Sequence, residues 1–318
     1  MKKISKLLLI FVVSIFGIVS LTGCNKKQET QDKLTIVSTN FPGYDFARAI
    51  TMDNTKVKVK MLLKPGAESH TFEPTPEDIK TIKNSDIFIY VGGDSDEWVD
   101  DILSDIDTDK TKIIKLIDLV DAKEEVTTEG MESDEEEESE EEAELDEHVW
   151  TSPKNAIEII NKLKKEIINI DSDEKSNLES NANNYVNKLN DLDTEFKSIV
   201  KTAKRKEIIV GDRFPLRYFA DEYGLSYYAA FPGCSEQTEA SAKTISFLAN
   251  KVKEDKIPVV LKIELSSGNI ANTIAKETNT KVLEFNSAHN ISQSDFDAGT
   301  TYVDIMTKNA EVLKEALN

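Results

Sequence analysis

Cysteine is almost missing from this 318-residue chain: Cys24 and Cys234 are the only two. Cys24 closes an N-terminal export segment and is spent there, so Cys234 has no partner and no intramolecular disulfide forms. The fold must then rest on a buried core, for which the chain is long enough as one or two domains. Histidine is nearly as scarce, at three: His70, His148 and His289. No HExxH, HxxxH, CxxC or nucleophile-elbow pattern occurs, which removes the short-range signatures of metallo- and serine hydrolases and leaves Glu264 as the one candidate general base. No basic stripe is present in a chain of net charge −20, which excludes nucleic acid as a partner.

What the chain does have begins at its first residue. Lys2, Lys3 and Lys6 form a basic start, an apolar run follows from Leu7 to Leu21, and Leu21-Thr22-Gly23-Cys24 ends it. This is a secretory signal over 1–24. The run is short for a membrane span, which needs ~20 apolar residues. Leu-Thr-Gly-Cys resembles a bacterial lipobox, so Cys24 is the expected lipidation site and mature N-terminus, and residues 25–33 read as a polar tether. The expected location is extracytoplasmic, anchored to the bacterial cell membrane by that lipid.

Charge is concentrated. Glu124 to Glu147 holds fifteen acidic residues and no basic one, and without it the net charge falls to about −5. Self-repulsion and a lack of apolar residues predict a disordered acidic loop over 124–145. The run ends at His148, so it either concentrates cations near a site or serves only as a solubilising insertion. Its carboxylates lack the Asp/Asn/Gly spacing of a calcium loop.

The remainder alternates strand and helix, which predicts parallel α/β sheets. Strands are expected at 34–39, 57–63, 86–91 and 112–116, then at 207–211, 225–231, 259–263 and 281–285. A turn is expected at Pro42-Gly43, with a helix from Tyr44. Between the two groups, apolar residues recur at helical spacing from Ile157 to Val200, with a break at Asp171-Ser172-Asp173. The predicted organisation is an N-terminal α/β lobe over 34–152, a connecting helical segment over 153–204 and a C-terminal α/β lobe over 205–318. No internal sequence repeat is visible.

Spacing alone favours three unrelated loop histidines. The strand ends argue otherwise, because ligands of open parallel sheets collect beyond the carboxyl ends of the strands. His70 follows the second strand, Asp212 follows 207–211, Glu264 follows 259–263 and His289 follows 281–285. His148 lies just before the connecting helices. Neutral imidazole is the commonest protein ligand for zinc.

At these residues the chain resembles the metal-binding proteins of bacterial ABC importers, the solute-binding cluster that handles zinc and manganese. The matching stretches are Lys64-Pro65-Gly66-Ala67-Glu68-Ser69-His70-Thr71-Phe72-Glu73-Pro74 and Asp146-Glu147-His148-Val149-Trp150-Thr151-Ser152-Pro153. Tyr218-Phe219-Ala220, Gly233-Cys234-Ser235-Glu236 and Ile274-Ala275-Lys276-Glu277-Thr278 also match. The resemblance covers essentially the whole mature chain. It implies two α/β lobes joined by one long rigid helix, metal held between them, and permease and ATPase subunits as partners of a monomeric, non-enzymatic binding protein.

By the same resemblance His70 and His148 match the first two ligands. The third falls in Gly211-Asp212-Arg213-Phe214-Pro215, where an apparent one-residue insertion makes Asp212 the expected occupant. The fourth falls near Asn286, a poor zinc ligand that His289 replaces. The expected metal set is therefore His70, His148, His289 and Asp212, with Glu264 as alternative ligand or supporting residue. Glu68, Glu73 and Glu147 are candidates for orienting the imidazoles, Glu147 being read as a solvated surface acid. This set favours Zn2+, with Mn2+ as the alternative cargo. A surface zinc hydrolase and a lipid-anchored adhesin with a structural metal are the other readings.

Overall fold

The computed structural model describes residues 33–132, 144–235 and 237–318. The signal segment with Cys24, the tether up to residue 32 and the centre of the acidic run at 133–143 lie outside the described residues.

Short β-branched and aromatic runs bounded by polar residues become the strands. In the N-terminal lobe they are β1 (Leu34–Ser38), β2 (Val57–Met61), β3 (Ile87–Tyr90) and β4 (Lys112–Lys115), pairing in the order β2-β1-β3-β4, all parallel. Every residue of β3 is buried, as expected of a strand covered on both faces. The helices α1 (Phe41–Ile50), α2 (Pro76–Lys83) and α3 (Trp98–Leu103) alternate with these strands. In the C-terminal lobe β5 (Glu207–Arg213), β6 (Ser226–Phe231), β7 (Val259–Lys262) and β8 (Lys281–Glu284) pair in parallel in the order β6-β5-β7-β8. The two orders are equivalent, so the lobes repeat one topology that their sequences do not reveal.

The expected turn at Pro42-Gly43 is instead the first turn of α1. Asn40 caps that helix, its Oδ1 accepting the Gly43 N–H at 3.3 Å, and the Pro42 ring suits a first-turn position. A Cβ on Gly43 would stand 2.3 Å from Ser38 Oγ, so glycine is what lets α1 lie against β1.

The connection is a pair of helices, α4 (Pro153–Ile170) and α5 (Lys175–Thr202), broken near Asp171–Asp173 as the sequence suggests. They pack on each other, and the 28 residues of α5 make a rod ~42 Å long. Its buried stripe touches both lobes. Tyr185 packs on Phe46 of α1 and its hydroxyl bonds the buried Asp45, while Phe196 meets Phe219 edge-on at 4.9 Å between ring centres. One continuous apolar cluster runs from Ile36 through α4 and α5 to Leu317. Sliding the lobes far apart would break this close-packed core, so the link is stiff.

The C-terminal lobe is completed by α6 (Arg217–Tyr223), α7 (Ala242–Glu254), α8 (Asn269–Thr278), α9 (Gln293–Asp297) and α10 (Tyr302–Ala316). The short α9 has no counterpart in the sequence expectations; Ser292 caps it by accepting the Asp295 N–H at 3.1 Å. Among the described residues no helix is long and apolar enough to cross a membrane.

The two ends of the acidic run are built into the fold. Glu124 and Leu145 form an antiparallel bridge, and the Glu125 N–H donates to Glu144 O at 2.8 Å. Glu125 Oε1 accepts the Cys234 N–H at 2.9 Å, and the Glu132 N–H donates to Ala230 O at 3.0 Å. Residues 124–132 and 144–145, expected to be disordered with the rest of the run, are thus hydrogen-bonded. The carboxylates of Glu125 and Glu132 accept the backbone N–H groups of Cys234 and Ser241 on the C-terminal lobe, which composition cannot show.

Candidate metal centre

Each histidine reaches the cleft between the lobes on a separate structural device. His70 lies in the loop between β2 and α2. Thr75 and Asp78 close that loop at its far end with a capping box on α2. Within the loop, Glu68 Oε1 accepts the Ser69 N–H at 3.1 Å and lies 2.9 Å from His70 Nδ1. His148 sits in a tight turn, with φ −79° and ψ 42° and the Val149 N–H donating to Glu147 O at 2.8 Å. That geometry is close to an inverse γ-turn. It folds Glu147 and His148 toward one place, where an extended chain would send neighbouring side chains to opposite sides.

His289 follows β8 in a loop held from below by Glu264. The Glu264 carboxylate accepts the Ser287 N–H and the Ser287 hydroxyl, both at 2.6 Å, and the His289 N–H at 3.1 Å. Trp150 Nε1 donates to Ser287 O at 2.8 Å, and its ring lies 4.9 Å from that of His289 and 5.6 Å from that of His148. Ala288, just before His289, takes a left-handed φ of 59°, a strained backbone held in place by these bonds.

The three rings stand 5.1–5.7 Å apart, centre to centre. In each the Nδ1 is engaged: His70 with Glu68, His148 with Asp146 Oδ1 at 3.0 Å, and His289 with Ser69 Oγ at 3.2 Å. Such partners fix the ring orientation and leave Nε2 free for other work. All three Nε2 atoms face one carboxylate oxygen. Glu147 Oε1 lies 3.4 Å from His70 Nε2 and 4.0 Å from both His148 Nε2 and His289 Nε2. The Nε2 atoms of His70 and His148 are buried with no hydrogen-bond partner. Glu147 is itself fully buried, steadied by the Ser95 hydroxyl at 2.5 Å and the Ser95 N–H at 3.1 Å. The ligand atoms of His70, Glu147, His148 and His289 all lie within 4.8 Å of one another.

Of the carboxylates expected from the sequence, neither joins this group. Asp212 is turned away by an irregularity in β5. Val210 pairs with Ala229 and Arg213 with Phe231, so three steps of β5 run against two of β6, one residue in excess. The extra residue sets the Asp212 carboxylate against Ser266, where burial raises its pKa, and delivers Arg213 to the cleft instead. Glu264 borders the cleft, but its oxygens are consumed by the His289 loop; burial raises its pKa, and the N–H groups and hydroxyl of that loop counter this only in part. It acts as a support. Asn286, near which the resemblance placed a fourth ligand, has its side-chain Oδ1 taken by the Ala288 N–H at 2.7 Å, while its backbone N–H donates to Asn309 Oδ1 at 2.9 Å. Glu147, read from the sequence as a solvated acid, is the carboxylate at the centre. Membership of an acidic run hid it.

Burial holds the His289 imidazole well below the ordinary histidine range, aided by the neighbouring His70 and His148. Burial alone would lower His148 too, but the Asp146 hydrogen bond and the charges of Asp146, Glu147 and Glu125 outweigh it and raise its pKa. A small cavity of about 30 Å³ opens beside the rings, with Glu68, Arg213, Pro215 and Leu265 among its walls.

Two parallel-sheet lobes on a stiff helical link, with a cleft between them that gathers three imidazoles and a buried carboxylate, define the architecture of a two-lobed solute-binding fold. A family model described as ZnuA, zinc-uptake complex component A, periplasmic, matches residues 36–316. The high-affinity zinc uptake system protein ZnuA of Bacillus subtilis is 34% identical over 289 residues, covering 90% of this chain and 88% of that protein. The zinc-binding lipoprotein AdcA of Streptococcus pneumoniae is 32% identical over 99% of this chain, which spans 61% of AdcA's length. The crystal structure of the Zn(II)-bound ZnuA-like domain of that AdcA superposes with a TM-score of 0.71 at 30% identity, covering 90% of this chain and 99% of the domain. The chain belongs to the ZnuA family of periplasmic zinc-uptake components.

Proposed function

We propose that this protein captures Zn2+ between its lobes through His70, His148, His289 and Glu147, and hands it to the permease and ATPase of an ABC importer. The observation that carries this reading is the convergence of three Nε2 atoms and Glu147 Oε1, each imidazole with its Nδ1 already engaged. Three neutral nitrogens and one carboxylate suit zinc, at ~2.0–2.2 Å per bond, better than manganese, which favours more oxygen ligands. The name of the Bacillus subtilis relative and the Zn(II)-bound neighbour support the same cargo.

Glu147 occupies the direction in which a hydrolytic zinc site would keep a water, which favours binding over turnover. The family membership supports an extracytoplasmic place, and the Leu21-Thr22-Gly23-Cys24 sequence supports a lipid on Cys24 as the anchor. The protein acts as a monomer in this reading, with the paired helices limiting lobe movement to a modest closure.

Calorimetric titration of Zn2+ and Mn2+ into the metal-stripped protein tests it. Tight one-to-one zinc binding, weaker manganese binding, and loss of both in His70→Ala and His289→Ala are expected. Absence of tight zinc binding would overturn the reading.

A further inference from the structure

The strand irregularity that turns Asp212 away brings a cation to the histidines. Arg213 Nη1 lies 3.1 Å from His70 Nδ1 and 3.2 Å from Ser235 O, and Nη2 lies 3.0 Å from Glu68 Oε2. Glu68 belongs to the N-terminal lobe and Arg213 to β5 of the C-terminal lobe, so the ion pair spans the cleft beside His70. The Arg213 side chain is only 12% exposed, with both residues in the cavity wall.

A guanidinium this close to a ligand imidazole would repel a divalent cation if it stood alone. Glu68 neutralises it. The same carboxylate takes His70 on one oxygen and Arg213 on the other. Opening the cleft at His70 must therefore part a charge-assisted bond between the lobes. Other inter-lobe bonds at this loop are the Gly66 N–H to Ile291 O at 2.8 Å and Asn290 Nδ2 to Lys64 O and Ala67 O at 2.9 and 2.7 Å, which hold its base, and Ser69 Oγ with His289 Nδ1 at 3.2 Å beside the site. None of these is an ion pair.

We infer that the Arg213–Glu68 pair is the latch of the cleft, and that parting it from the Arg213 side, with Glu68 left to orient His70, changes how fast Zn2+ exchanges more than how tightly it is held. The inference rests on zinc being the cargo of this site. A latch that must part for the ion to pass in either direction raises the barrier to uptake and to release alike.

The test is stopped-flow kinetics on the full chain in detergent micelles at 0.15 M salt. Uptake is followed by tryptophan fluorescence and release by transfer to a fluorescent chelator, for wild type, Arg213→Gln and Arg213→Lys. Arg213→Gln is expected to raise both rate constants on the order of tenfold, the worth of one charge-assisted hydrogen bond, while Kd changes less than about threefold. Arg213→Lys, which keeps the charge but not the fork, should fall between.

Unchanged rates in Arg213→Gln would overturn the latch. So would faster release alone with Kd weakened in proportion, the mark of a residue that merely supports the bound site, or faster uptake alone, the mark of simple charge repulsion. If Arg213→Gln fails to fold by circular dichroism, Arg213→Lys decides by whether both of its rates rise. Wild type that binds no zinc would sink the cargo reading and the latch with it; a failed latch would leave wild-type binding intact.

Discussion

Glu147 Oε1 stands 3.4 Å from His70 Nε2, inside a cluster where the sequence suggested only imidazoles and a distant aspartate. A buried carboxylate facing three imidazole Nε2 atoms, each ring with its Nδ1 already engaged, sets four potential donors around one place largely closed to solvent. Glu147→Gln keeps the size and removes the charge. It should weaken zinc binding by ~100-fold or more, since even residues that only orient a ligand are worth ~10–100-fold. Asp212→Asn should leave it within about threefold, because Asp212 lies outside the cluster. Competition titration against a zinc chelator measures both. Equal losses in the two variants would return Asp212 to the ligand set.

Glu264 affects the metal through the His289 loop. Glu264→Ala strands the Ser287 and His289 N–H groups in a buried place, at ~1–3 kcal/mol for each unsatisfied donor. Metal-free Glu264→Ala should therefore melt well below wild type. Glu264→Gln keeps an acceptor oxygen, so it should lose less stability but still weaken zinc binding ~10-fold or more. Thermal melts beside zinc titrations separate the two effects.

Asp96 is buried below the site, accepting the Val91 N–H at 2.6 Å and the Gly92 N–H at 3.3 Å. Burial, reinforced by the Glu147 charge, pushes its pKa up to about 7 from 3.8. A folded pKa above the unfolded one means that the native state binds the proton more tightly. The resulting stability is complete below about pH 4 and is lost as pH rises through about 7. Asp96→Asn can accept the same hydrogen bonds without ionising. Metal-free Asp96→Asn should match wild type near pH 4 and melt roughly 4 °C or more above it at pH 8. Parallel melting curves across that range would refute this account.

His148 is more disposed than His289 to keep a proton, because Asp146 and the nearby carboxylates outweigh its burial, whereas burial holds His289 neutral. Zinc must displace the His148 proton, so affinity should fall as pH drops below neutrality. Asp146→Asn should lower affinity ~10-fold at pH 8 by loosening the ring, while shifting the acid decline to lower pH. Zinc titrations from pH 5.5 to 8 give both numbers. An acid decline unmoved by Asp146→Asn would assign the competing proton to another group.

Trp150 touches the rings of both His148 and His289, and Trp98 is the only other tryptophan. Zinc binding should change tryptophan emission, and Trp150→Phe should abolish the change. A signal that persists in that variant would place the reporter at Trp98.

Much of the architecture was written in local chemistry. Runs such as Ile87-Phe88-Ile89-Tyr90 are too short and too apolar for anything but buried strands. The stripe from Leu178 to Val200 can bury itself only as a helix, and Ser152-Pro153 starts α4 as a cap followed by a first-turn proline. The alternation of these elements sets the parallel sheets, and the strand ends gather His70 and His289. Positions that depend on one residue's conformation were not legible. A single extra residue in β5 exchanges Asp212 for Arg213 at the cleft, because side chains alternate along a strand and one step reverses them. A tight turn at His148 swings Glu147 inward from an acidic run that composition assigns to solvent. Periodic burial is a property of segments and can be read from the chain. Which donor atoms share a space of a few ångströms depends on the register and dihedral angles of particular residues, and those are decided only when both lobes close around the same cleft.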